Sequence, residues 1–190
     1  ILGNLGLLYS DIQRFSESET MYNEALEIYR RLAEDNSEAY APDLALTLNN
    51  LGLLYYGIQR YSESELKYNE ALDIYRRLVA NNSEAYNPYL ALTLNNLARL
   101  YYSVHRFLDG ELFYNEALDI YRRLAENNPN AYESTLATIL GNLGLLYSDI
   151  QRFSESELLY NEALGISRRL AENNLDAYES TLATILGNLG

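Results

Sequence analysis

The sequence predicts an all-α chain, a solenoid of antiparallel helix pairs, and three observations carry that prediction. Asn-Leu recurs at Asn4-Leu5, Asn50-Leu51, Asn96-Leu97, Asn142-Leu143 and Asn188-Leu189, each pair 46 residues after the last. A fixed period of this length marks supersecondary units that bury a core only by stacking on their neighbours. Within each period the apolar residues fall at helical spacing in two segments, and a short turn such as Gln59-Arg60-Tyr61 separates them.

Taken in order, the residues before the first turn read as the tail of a helix, because Ile1 to Glu19 is identical to Ile139 to Glu157. Ile185 to Gly190 repeats Ile1 to Gly6 in the same register, so the chain reads as a slice of a longer array. The expected units are roughly 1–41, 42–87, 88–133 and 134–179, followed by a partial helix over 180–190. The first helix of each unit is expected from about Pro42 to Ile58, with Pro42 and Pro88 in the first turn, where a missing N–H costs nothing. Leu44, Leu48, Leu51, Gly52, Tyr55 and Ile58 form one stripe, and Gly52 admits a close partner helix. Leu46, Asn49, Asn50, Leu53 and Tyr56 lie opposite.

The second helix is expected to open on a capping box of Ser62 with Glu65, repeated as Ser16 with Glu19 and Ser154 with Glu157. Its buried stripe is Ser64, Tyr68, Ala71, Leu72, Tyr75 and Leu78, while Glu63, Glu70, Asp73 and Arg77 face water. It ends at an Asn-Asn pair (Asn81-Asn82, Asn127-Asn128, Asn173-Asn174), read as a left-handed stop. In the fourth unit Gly165 interrupts this helix and Ser167 replaces the core tyrosine.

Composition removes several classes of function. With 27 acidic residues against 14 basic, the net charge is −13 and no basic face for nucleic acid is visible. No apolar run approaches the roughly 18 residues of a membrane span, so no membrane partner is expected. The absence of cysteine excludes disulfides and thiolate metal sites and suits a reducing compartment, so a cytoplasmic location is the expectation. His105, the single histidine, stands in a turn without a second metal ligand. No Ser or Thr has a base at a fixed offset, and Gly3 and Gly6 lie within a helix rather than a phosphate loop. The chain is expected to be no enzyme and to need no cofactor.

Leu48-x-x-Leu51-Gly52-x-x-Tyr55, followed by Ser64-x-x-x-Tyr68-x-x-Ala71, resembles the tetratricopeptide repeat (TPR). Leu48 stands where the family often has Trp, and the family's proline near the end of the second helix is missing, which lengthens the unit. The long unit with Leu-Asn-Asn-Leu is most similar to the repeats of kinesin light chains and their prokaryotic relatives. The resemblance implies a right-handed superhelix whose first helices line a concave groove, peptide or protein binding in that groove, and no catalysis.

On that geometry the candidate ligand-binding residues are Asn4, Asn50, Asn96 and Asn142, with Leu53, Tyr56, Arg99 and Tyr102 beside them. A primary amide offers both donor and acceptor and can pair with a peptide backbone without reading its sequence. The same amides can instead satisfy buried groups between neighbouring helices. Arg99 is the only basic residue expected in the groove, which argues against recognition of acidic peptide tails. The leading expectation is a protein-interaction scaffold. The alternatives are a self-assembling structural array, with end-to-end association through Leu2, Leu5, Leu186 and Leu189, and the sensor arm of a larger signalling ATPase.

Overall fold

Arginine and asparagine set the helix ends. A computed structural model describes residues 1–173, together with Ala183 and Gly187. The chain divides into two compact units, Ile1–Leu100 and Tyr101–Gly190. The first contains α1 (Leu2–Asp11), α2 (Phe15–Asp35), α3 (Ser37–Gly57), α4 (Tyr61–Asn81) and most of α5 (Ser83–Ser103). The second contains the end of α5, then α6 (Phe107–Asn127), α7 (Pro129–Asp149) and α8 (Phe153–Asn173). The described residues form helices and turns only, so the all-α class holds. Consecutive helices pack as antiparallel hairpins: α1 on α2, α2 on α3 and α3 on α4 in one unit, α6 on α7 and α7 on α8 in the other.

The turn inside each hairpin is a Schellman motif on a non-glycine residue. Gln59 sits at φ 61°, its N–H donates to the Tyr56 carbonyl at 3.0 Å, and the Arg60 N–H donates to the Tyr55 carbonyl at 2.8 Å. Gln13, His105 and Gln151 take the same left-handed conformation. His105 is therefore a backbone choice, since histidine is enriched several-fold in this region.

Three expectations about helix ends are corrected. The first helices start near Ser37 and Ser83, not at Pro42 and Pro88, which lie inside them. The Asn36 side chain caps α3 by accepting the Ala39 N–H at 3.2 Å, and the Asn82 side chain accepts from Ala85 at 3.1 Å. Pro42 removes the donor to the carbonyl of Glu38, a residue exposed to solvent, so water can satisfy it. Only Pro129 occupies the expected first turn. Second, Asn82 ends α4 extended, at φ −149°, and not left-handed, because one residue both closes α4 and caps the next helix. Third, the second helices open one residue before the proposed serine caps. Arg60 is the N-cap of α4 and no side chain caps it. The arginine instead reaches Glu63 at 2.9 Å, as Arg14 reaches Glu17 and Arg106 reaches Asp109 at 2.8 Å. A carboxylate in the first turn still complements the helix dipole.

The buried stripes match expectation for the second helices: Ser64, Tyr68, Ala71, Leu72, Tyr75 and Leu78 are all buried. In α3, Leu48, Leu51, Gly52 and Tyr55 are buried, while Leu44 and Ile58 are half-buried. Asn49, on the face opposite that stripe, is buried as well. A Cβ on Gly52 would come within 2.7 Å of the Tyr68 ring, and one on Gly6 or Gly144 within 2.9 Å of Tyr22 or Tyr160. Ser64 Oγ donates to the Gly52 carbonyl at 2.8 Å, and Ser18 and Ser156 repeat the bond to Gly6 and Gly144. The Gly-Tyr-Ser contact thus locks the α1–α2, α3–α4 and α7–α8 hairpins with one close approach and one satisfied buried hydroxyl. Asn188, Leu186 and Leu189 lie outside the described residues.

Candidate functional site

The site candidate in the first unit is the α3 and α5 face that carries exposed leucines. Leu46, Asn50 and Leu53 follow one another at helical spacing along α3, as do Leu92, Asn96 and Arg99 along α5. Leu46 and Leu92 are each 38% exposed and Leu53 is 41% exposed. Three large apolar side chains left half in water on one face are more than scattered single exposures.

Arg99 lies over the Tyr56 ring, 5.3 Å from its centroid, so the two expected site residues are brought together. Tyr56 also packs against Tyr61, with centroids 5.9 Å apart. Both Arg99 and Tyr56 are half-buried.

The amides fall into different environments. Asn50 is half-buried, and among the described residues no hydrogen bond engages its side chain. Asn96 is buried, and its amide donates to Asn49 Oδ1 at 3.2 Å. Thr93 Oγ1 donates to the same oxygen at 3.3 Å, so the Asn49 amide knits α3 to α5. Asn4 is exposed on α1. Spacing alone passed over Asn49. The doubled Asn-Asn of Leu-Asn-Asn-Leu, with Thr93 one turn before Asn96, was the available signal.

In the second unit Asn142 on α7 is half-buried, and among the described residues no hydrogen bond to its side chain is found. The Tyr102 hydroxyl donates to Asp149 at 2.6 Å, and burial together with that bond pushes its pKa up to about 12. Tyr102 is therefore engaged by its own unit. An open cleft of about 600 Å³ lies among α6, α7 and α8, beside Gly165. Four of its charges are paired within the protein, Arg122 with Glu162 at 2.8 Å and Arg169 with Glu133 at 2.7 Å, and Glu126 also lines it.

Among the described residues no cluster of three His, Asp or Glu could hold a metal ion. No described helix is long and apolar enough to cross a membrane.

Helical hairpins at a 46-residue spacing, each locked by a Gly-Tyr-Ser contact where the glycine is present, define a helical-repeat protein. The chain belongs to the tetratricopeptide repeat family, whose model matches residues 1–77 and 89–169. Repeats of this family generally serve as non-enzymatic scaffolds for protein partners. Among solved structures the chain is similar to BtubC (BKLC) from P. vanneervenii, with 26% identity and a TM-score of 0.74. That match covers 91% of this chain and 63% of the other. The apo form of RapI is similar in fold, at 15% identity and a TM-score of 0.75, over 93% of this chain and 58% of that one. The chain thus spans less than two thirds of either protein. No curated protein matches it.

Proposed function

We propose that this chain is a protein-interaction scaffold that binds an extended or helical peptide segment along the faces presented by its first helices. The exposed leucines Leu46, Leu53 and Leu92 carry the reading, because they offer apolar anchors beside the unengaged Asn50 amide. Membership of the repeat family supports it. Asn50 is the residue of the asparagine series in the first unit best suited to pair with a ligand backbone, whereas Asn96 is already engaged by Asn49. A net hydrogen bond contributes about 0.5–1.5 kcal/mol, so affinity comes mainly from apolar side chains on Leu53 and its neighbours.

The test compares Asn50→Ala and Leu53→Ala with Asn96→Ala, reading peptide binding by calorimetry and unfolding by circular dichroism. Asn50→Ala and Leu53→Ala should weaken binding several-fold with little change in Tm. Asn96→Ala should lower Tm, because it leaves the buried Asn49 oxygen short of a donor. Binding that survives both Asn50→Ala and Leu53→Ala would overturn the proposal.

A further inference from the structure

Where the first halves of α3 and α5 meet the second half of α4 lies a cavity of about 130 Å³, lined by Pro42, Asp43, Leu46, Tyr75, Tyr86 and Tyr89. It is far smaller than the roughly 300–1,000 Å³ of drug-sized pockets and suits the head of one side chain. Tyr75 is buried against Tyr89, their rings stacked with centroids 5.8 Å apart and planes at 13°. Tyr89 is 44% exposed, so one face of the stack meets solvent. Asp43 is exposed, and no arginine or lysine of the described chain pairs with it. The surroundings push the Tyr75 hydroxyl pKa well up, through burial first and then through Tyr89, Asp43 and Tyr86, which places these groups close together.

The same chemistry recurs among the described residues, and there an arginine completes it. Arg60 lies over the Tyr55 ring at 4.3 Å and pairs with Glu19 at 2.9 Å. Arg152 lies over Tyr147 at 3.9 Å and pairs with Glu111 at 2.7 Å. Asp43 is also particular to one unit, since Tyr89 and Thr135 stand at the equivalent positions 46 and 92 residues on.

We infer that the Asp43–Tyr75–Tyr86–Tyr89 pocket receives an arginine side chain of the bound peptide. The proposal rests on the peptide-binding reading above and names the side chain that would set its register. A guanidinium is planar, stacks on tyrosine and presents forked N–H donors to a carboxylate, so it uses both halves of the pocket. A lysine ammonium uses them less well. A trimethylated lysine has no N–H to donate to Asp43 and keeps only the ring attraction and an undirected charge attraction. The net charge of −13 favours approach of a basic segment.

The test titrates the chain with acetylated, amidated hexapeptides that differ only at one central residue: arginine, trimethyllysine or uncharged citrulline. Calorimetry and amide chemical shifts are read together. The arginine peptide should bind about tenfold more tightly than the citrulline peptide, with shifts centred on 43–46 and 86–89. Asp43→Asn and Tyr89→Leu should each remove most of that advantage, while Tyr89→Phe keeps it. Equal affinity for arginine and citrulline peptides, no detectable binding of the arginine peptide, or an advantage that survives Asp43→Asn and Tyr89→Leu would overturn the inference. The two readings fail separately. If Leu53→Ala leaves the arginine peptide bound while Asp43→Asn releases it, the pocket stands and the leucine face does not.

Discussion

The hairpin of α3 and α4 in the first unit and that of α7 and α8 in the second are the same framework with different faces. Both close on the same lock: Gly52, Tyr68 and Ser64 in one, Gly144, Tyr160 and Ser156 in the other. Both carry the same clasp, in which an arginine at the start of the second helix covers a tyrosine and reaches a glutamate one hairpin back. The Tyr55 and Tyr147 hydroxyls complete it by donating to those glutamates, at 2.8 Å and 2.9 Å. The faces differ. Where the first unit shows Asp43, Leu46 and Tyr75, the equivalent positions of the second are Thr135, Thr138 and Ser167. Both hairpins keep the lock and the clasp while the positions around them have diverged, and α5 and α6 carry Ala98 and Gly110 in place of the glycine and the serine of the lock.

The largest expected effect tests the lock. Tyr68→Ala and Tyr160→Ala each empty a fully packed ring site and should cost about 3–5 kcal/mol. Urea unfolding followed by circular dichroism measures this, and a loss below about 1 kcal/mol in one unit only would break the equivalence.

Gly52→Ala and Gly144→Ala sharpen the same point. Alanine is the better helix former by about 1 kcal/mol, but its Cβ would meet the Tyr68 ring at 2.7 Å and the Tyr160 ring at 2.9 Å. Overpacking of this kind typically costs about 1–3 kcal/mol, so both variants should be destabilised or neutral. A rise in Tm for either would show that the ring moves aside freely. Gly165→Ala is the control, because no atom of the described residues lies within 4 Å of its Cβ position, and it should stabilise α8.

A smaller effect is expected in alkali. Burial raises the Tyr22 pKa to about 12, with Asp11 adding to it, and burial with Tyr132 raises Tyr121 to about 12. Each group holds its proton in the folded state after the unfolded chain has lost it. Its contribution is therefore intact below the ordinary tyrosine pKa near 10 and is lost as pH rises toward 12. The limit is about 1.4 kcal/mol per pH unit for each group. Stability measured from pH 9 to 11.5 should fall, and Tyr22→Phe and Tyr121→Phe should each flatten the slope. Unchanged slopes in both would sink the assignment.

The 46-residue period, the hairpin, and the buried series from Ser64 to Leu78 were legible in the sequence, because one face of a helix must be apolar wherever it stacks and the repeat prints that requirement several times. The glycine at 52 was legible too, since a helix tolerates its poor propensity only for a close neighbour. The helix ends were less so. Pro42 looked like a beginning because its missing N–H is harmless in a first turn. Asn36 wins because its side chain caps α3 and the carbonyl that Pro42 leaves unpaired faces water. Ser62 and Glu65 matched a capping box, yet a Schellman turn at left-handed Gln59 puts the N-cap of α4 at Arg60, two residues before Ser62.

The candidate site divides the same way. Sequence by itself determined which residues share a face of α3, because helical spacing is a property of one helix. Only the tertiary structure decided that Asn96 serves Asn49, that Tyr102 is held by Asp149, and that Asp43 meets Tyr75, Tyr86 and Tyr89 around one cavity. Those outcomes depend on distances between separate helices. They are set by the packing of whole hairpins, which no local pattern of residues contains.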